Sequence, residues 1–154
     1  FYQKVYEKGD IKSGVNMVSL YLNDPIAPKK VEGMTLFTEV LNQAMESESP
    51  YALDEVIAMV SSAIKGIAGF DKTPEMEQLG LDWAEKILAE GNTYAGAALS
   101  DYYKEKGDTA KEYFYLKLIE SWALDDVIEQ LSAEEIEAQN KAVEAYKQQV
   151  NWPY

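Results

Sequence analysis

Apolar residues recur at three- and four-residue spacing along nearly the whole chain, and no stretch keeps the strict alternation of a half-buried strand. The pattern predicts helix throughout, cut by turns. Residues 1–8 read as the end of a helix that stops at Gly9-Asp10, a C-terminal glycine followed by a new N-cap region. A short helix over 13–22 ends in Asn23-Asp24-Pro25. Pro28 opens the next, with Val31, Met34, Phe37, Leu41 and Met45 on one stripe, and residues 47–50 break it. Residues 51–64 make a further helix, ended by the 66–69 stretch. Thr73-Pro74-Glu75 then supplies an N-cap, an N1 proline and a first-turn acid. The buried stripe of that helix is Met76, Leu79, Trp83 and Ile87, and Gly91 closes it. Asn92 opens a helix through Tyr103, Gly107-Asp108 turns the chain, and Thr109 caps a helix reaching Glu120. The last pair is a helix over 122–131 and one launched by the capping box Ser132-x-x-Glu135, running to about Val150.

Residues 51–60 (YALDEVIAMV) return at 122–131 (WALDDVIEQL), 71 positions later, with Ala, Leu, Asp, Val and Ile in equivalent places. That offset is about two units of the 33–36 residue period of helix-pair repeats. A common grammar emerges when the first helix of each pair is aligned. A small residue comes first (Gly14, Ala52, Ala95, Ala123), an aliphatic four residues on (Val18, Val56, Leu99, Val127) and a large apolar residue eight on (Leu22, Val60, Tyr103, Leu131). Small residues let neighbouring helices approach, and the +4 and +8 positions share one face. The expected fold class is all-α: an α-solenoid of about four antiparallel helix-pair repeats, forming a single domain over 1–154.

The residues Tyr6-Glu7-Lys8-Gly9-Asp10, followed by Gly14, Val18-Ser19 and Leu22, resemble the join between two Sel-one-like repeats, relatives of tetratricopeptide repeats. Gly91-Asn92-Thr93-Tyr94-Ala95 with Leu99-Ser100 and Tyr103 resembles it better, with Ser100 where the family has glycine. The closing Leu131-Ser132-Ala133-Glu134-Glu135 and its Ala-rich helix are similar to the last helix of such proteins. The second unit lacks the glycine signature, and the turn at Gly107 is shorter than the family's glycine-rich loop. The resemblance implies a TPR-like superhelix that acts as an adaptor or, as implied for several bacterial members, as an immunity protein neutralising a secreted toxin.

Composition narrows the chemistry. The chain of 154 residues has no Cys and no His, and all 14 basic residues are Lys. There is thus no thiolate nucleophile, no imidazole base or ligand, and no guanidinium fork for phosphate. A net charge of −13 repels nucleic acid and anionic membranes and favours a partner with a basic surface. No apolar run reaches the roughly 18–20 residues needed to span a bilayer, so no membrane insertion is expected. Neither a metal nor a cofactor is expected. The start at Phe1 fits a processed secretory protein or a fragment, and the lack of Cys fits either side of a membrane.

The Gly66-Ile67-Ala68-Gly69-Phe70-Asp71-Lys72-Thr73 stretch has Asp71 where a phosphate-binding loop needs Gly, and no strand precedes it. It reads as an inter-helix loop. The paired acids Asp54-Glu55, Asp125-Asp126 and Glu134-Glu135 project about 100° apart on a helix, which suits solvated faces better than a site. Tyr102-Tyr103 and Tyr113-Phe114-Tyr115 read as hairpin core, and the tail Trp152-Pro153-Tyr154 as an end cap or a free end. If the small, +4 and +8 positions face the stack, the +2, +3 and +6 positions turn toward a binding groove. The candidate partner-binding residues are Asn16 and Met17, then Asp54, Glu55 and Met59, then Asp101 and Tyr102, then Asp125, Asp126 and Glu129. The acids form the expected ladder, with Met17, Met59 and Tyr102 as apolar anchors. The functional expectation is a non-enzymatic protein-binding module, in its specific form an inhibitor of a toxin. The competing class is a general adaptor or assembly scaffold that binds a peptide in the concave groove, and a two-carboxylate enzyme is a third.

Overall fold

The computed structural model describes residues 2–6, 9–49 and 51–154, with Val5 by its backbone alone. Phe1, Glu7, Lys8 and Pro50, which entered the expected first helix, repeat join and break, lie outside the described residues. Every regular element among those described is helical: α1 (Tyr2–Tyr6), α2 (Ile11–Asn23), α3 (Lys30–Glu46), α4 (Ala52–Lys65), α5 (Pro74–Ala89), α6 (Thr93–Glu105), α7 (Thr109–Leu118), α8 (Leu124–Ile128) and α9 (Ala133–Val150). The all-α class stands. None of these helices is long and apolar enough to cross a membrane. The chain divides into two compact units, Phe1–Trp83 and Ala84–Tyr154, and the division falls within α5.

In the first unit, Asp10 caps α2: its carboxylate accepts the Ser13 amide at 3.0 Å and the Ser13 hydroxyl as well. α2 packs on α1, α3 and α4, and α3 packs on α4. Val18, Leu22, Phe37, Val40, Leu41, Val56 and Val60 make the core. The small residue expected at position 14 is required there. A Cβ on Gly14 would stand 2.7 Å from the Tyr6 ring and 2.8 Å from Val40. The stripe of α3 needs correction: its buried residues are Gly33, Leu36, Phe37, Val40, Leu41 and Ala44, whereas Val31 is 78% exposed. Val31 is six residues before Phe37, which places it about 120° round the helix from that face.

The α4–α5 connection is a folded loop, as its sequence suggests. Gly66 ends α4 in the left-handed conformation (φ +63°). The Asn23 amide donates to the Ala68 carbonyl at 2.9 Å, the Lys30 ammonium donates to the Gly69 carbonyl, and Phe70 packs edge-on against Phe37 at 5.2 Å. Thr73 Oγ1 accepts the Met76 amide at 3.2 Å and starts α5. Asp24 accepts the Ile26 and Ala27 amides, and these bonds hold its pKa below the ordinary carboxylate value.

In the second unit, α6 pairs with α7, and α7 packs on α8 and α9. Asn92 caps α6 through the Ala95 amide at 3.0 Å. The cap of α7 is Asp108, not Thr109: its carboxylate accepts the Lys111 amide at 3.1 Å, and Thr109 is already the first helical residue. The helix expected over 122–131 shrinks to α8, because Ser132 caps α9 only four residues beyond Ile128. The Ser132 hydroxyl accepts the Glu135 amide at 3.1 Å, and the Glu135 carboxylate accepts the Ser132 amide at 2.8 Å, completing the expected box. The tail is docked. Trp152 is buried 6.3 Å from the Tyr146 ring, and Pro153 fills the place beside Gly91 where a side chain would stand.

The 51–60 and 122–131 echo keeps its burial only in part, since Ile57 is buried where Ile128 is 37% exposed and Met59 is buried where Gln130 is exposed. Val56 and Val127 are buried, and Tyr51 and Trp122 are both exposed.

Candidate protein-binding faces

A helix advances about 100° per residue, so the 0, +4 and +8 positions of the repeat fall within about 80° of one another. The −1, +2 and +6 positions fall within about 60°, on the opposite side. The structure follows this division. Val18, Val56, Leu99 and Val127 at +4 are all buried. At +2 and +6, Asp101, Asp125 and Glu129 are exposed, while Asn16 and Asp54 are half-buried. The +3 position lies between the two faces and goes either way: Glu55 and Asp126 are exposed, and Met17 is buried.

Two expected anchors are therefore core residues. Met17 is 8% exposed and Met59 is 6% exposed. Met17 stands with Gly14, Val18 and Leu22 on the buried side of α2, and Met59, at +7, borders the Ala52–Val56–Val60 stripe of α4. Tyr102 is half-buried, set edge-on to Tyr103 at 5.0 Å, and its ring is covered by its own Lys106 ammonium at 5.4 Å.

The −1 position carries a signal that the candidate set missed. It holds Tyr51, Tyr94 and Trp122 in three of the four aligned helices, exposed by 70%, 61% and 87%. The alignment shows the recurrence, since the small residue is preceded by an aromatic each time except at Gly14, but not the exposure. Tyr94 and Asp101 stand seven residues apart on α6, two turns along one stripe.

The remaining aromatics of the second unit pack on one another. Tyr103 stacks on Tyr115 at 5.6 Å, Phe114 meets Tyr146 at 5.8 Å, and Trp152 meets Tyr154 at 6.2 Å. The Tyr115 hydroxyl donates to Glu85, and burial together with that carboxylate pushes its pKa far up. Burial, then Glu85, pushes Tyr146 up to about 12. Tyr146 Oη and Trp152 Nε1 are buried without a hydrogen-bond partner. Tyr113, 2% exposed, donates to Asn140 at 2.7 Å. Tyr113, Tyr115 and Trp152 are thus core, Tyr103, Phe114 and Tyr146 are half-buried against them, and Tyr154 is 73% exposed.

Among the described residues no three acidic side chains gather into a group able to hold a metal ion. A shallow cavity of about 500 Å³ lies at the start of α7, with Asp108 and Glu135 in its lining. Both carboxylates are committed to helix caps there. Glu112 is the buried acid of the set; burial raises its pKa, Lys104 lowers it and Asp101 raises it. The chain matches no protein-family model, no curated protein and no solved structure. The Sel-one-like resemblance thus rests on the chain's own residues.

Proposed function

We propose that this protein is a non-enzymatic protein-binding module whose exposed acidic helix faces take a partner with a basic surface. The observation that carries the reading is the outward placement of Glu55 on α4, Asp101 on α6, and Asp125, Asp126 and Glu129 on or beside α8, each on a helix whose opposite face is buried. A net charge of −13 adds long-range attraction for a cationic partner. The α-solenoid of helix-pair repeats remains part of this proposal. It is supported by the aligned small and apolar positions and by helices packed in adjacent pairs within each unit.

The resemblance to Sel-one-like repeats favours a specific form of this activity: an immunity protein that occludes a toxin. A general adaptor for basic segments is the second form. Affinity capture from the source organism's lysate, washed at low and high salt, separates them. One folded enzyme retained at high salt in stoichiometric yield supports the inhibitor. A set of basic proteins lost at high salt supports the adaptor. Retention of no basic protein at either salt overturns the proposal.

A further inference from the structure

One end of the first unit is formed by two loops, residues 24–29 between α2 and α3 and residues 66–73 between α4 and α5. They lie side by side. The Asn23 amide donates to the Ala68 carbonyl at 2.9 Å, and the Lys30 ammonium donates to the Gly69 carbonyl and stands 3.9 Å from Asp71. The first loop is also held from within. Asp24 accepts the Ile26 and Ala27 amides, each at 2.9 Å, and the Lys29 amide donates to the Tyr21 carbonyl at 2.8 Å. Pro25 and Pro28 stiffen the backbone between these bonds. On this framework Pro25, Ile26, Ala27 and Pro28 are all exposed, Ile26 by 93%, and so are Ile67 and Ala68 on the second loop. An isoleucine so exposed adds nothing to the stability of the single chain. Single exposed apolar residues are ordinary, but apolar residues gathered on two loops held together mark a contact surface.

Charge says what covers it. In a chain of net charge −13, residues 24–32 and 65–72 hold Lys29, Lys30, Lys65 and Lys72 against Asp24, Glu32 and Asp71, a balance of +1. Copies of so acidic a chain repel one another, and an end balanced near zero is where two of them can approach. Lysines interspersed with carboxylates can also pair with the same set turned through a two-fold axis, as an isologous contact requires. A strongly basic partner would meet four lysines here and is better placed on the acidic faces. We propose that the two loops form the interface of a homodimer, in which Ile26 and Ile67 of each copy are covered by the loops of the other. The inference goes beyond the acidic-face reading and uses other residues.

Sedimentation equilibrium of the full chain separates this contact from the acidic one by its response to salt. Screening removes the repulsion between copies, so dimerisation strengthens from about 20 mM to about 500 mM NaCl, whereas attraction of a basic partner weakens. Ile26→Ser and Ile67→Ser remove apolar surface without altering charge. Each position counts twice across a two-fold axis, so each variant weakens the dimer by about tenfold or more. Tyr51→Ser is the control. Its ring is 70% exposed at the other end of α4, about 20 Å along the helix from Gly66, and its removal leaves association unchanged. Thermal melts check that the variants keep the fold. A chain that stays monomeric up to about 0.5 mM in high salt overturns the proposal and leaves these loops to a partner of another kind. So does a dimer that weakens with salt, one that Ile26→Ser and Ile67→Ser leave intact, or one that Tyr51→Ser dissolves. None of these results bears on the acidic faces.

Discussion

Gly80→Ala puts the close approach of α4 and α5 to a quantitative test. In an exposed helix interior this change stabilises by about 1 kcal/mol, since alanine is the best helix former and glycine the poorest but proline. Here the added Cβ would stand 2.7 Å from Ile64 Cγ1, 2.9 Å from the Ile64 backbone nitrogen and 3.2 Å from its Cα. The Ile64 side-chain methylene has little room to turn, because a β-branched side chain is stiff at χ1. The backbone of α4 cannot yield, so the two helices must part by a few tenths of an ångström where Gly80 meets Ile64. Overpacking of this kind costs about 1–3 kcal/mol. The propensity gain offsets part of that cost and leaves a net loss of about 1 kcal/mol, up to about 2. For a chain of this size each kcal/mol lowers Tm by roughly 2–4 °C. Urea and thermal unfolding followed by far-UV circular dichroism measure it. A gain of about 1 kcal/mol would mean that position 80 faces open space, and would refute the packing of α5 on α4.

Three further outcomes follow from the second unit. Tyr113→Phe removes the donor to Asn140 in a buried setting, and should cost about 1 kcal/mol in urea unfolding; no loss would mean that bond is not formed. Ser132→Ala should cost about 1 kcal/mol and fray the start of α9, visible as faster amide exchange at Glu135. Glu112→Gln should stabilise the protein at neutral pH. Burial holds the folded-state pKa above its ordinary 4.5, so the folded state binds the proton more tightly. Glu112's contribution is therefore fully present below the unfolded pKa and is lost as pH rises through the raised folded value. The gain from Gln should shrink toward zero at acid pH, and a gain independent of pH would contradict this.

Much of the architecture was legible because its signals are local. The capping box at Ser132, the Asn92 cap, the proline start at Pro74 and the left-handed Gly66 end each depend on residues within one turn. Errors arose where two local signals compete. The 122–131 run has a helical pattern, but the stronger Ser132 cap claims the chain and leaves α8 five residues. At Asp108-Thr109 both residues can cap, and the carboxylate one residue earlier takes the amide. The candidate faces were legible in part. Asp101, Asp125 and Glu129 at +2 and +6 face outward as the repeat grammar implies, and Asp54 is half-buried. The +3 position lies between the faces, where Met17 turns to the core and Glu55 and Asp126 do not, and Met59 at +7 borders the buried stripe. The exposed aromatics at −1 needed accessibility as well as alignment, since a ring before a helix serves equally often to cover it.

The acidic faces are the centre of this account, and a paired capture tests them most directly. Wild-type protein and an Asp101→Lys, Asp125→Lys, Glu129→Lys variant, all three sites exposed, are used in parallel on the same lysate. The account predicts a basic protein retained by the wild type and lost from the variant, with equal thermal stability of the two. The same proteins retained by both in equal yield would contradict it.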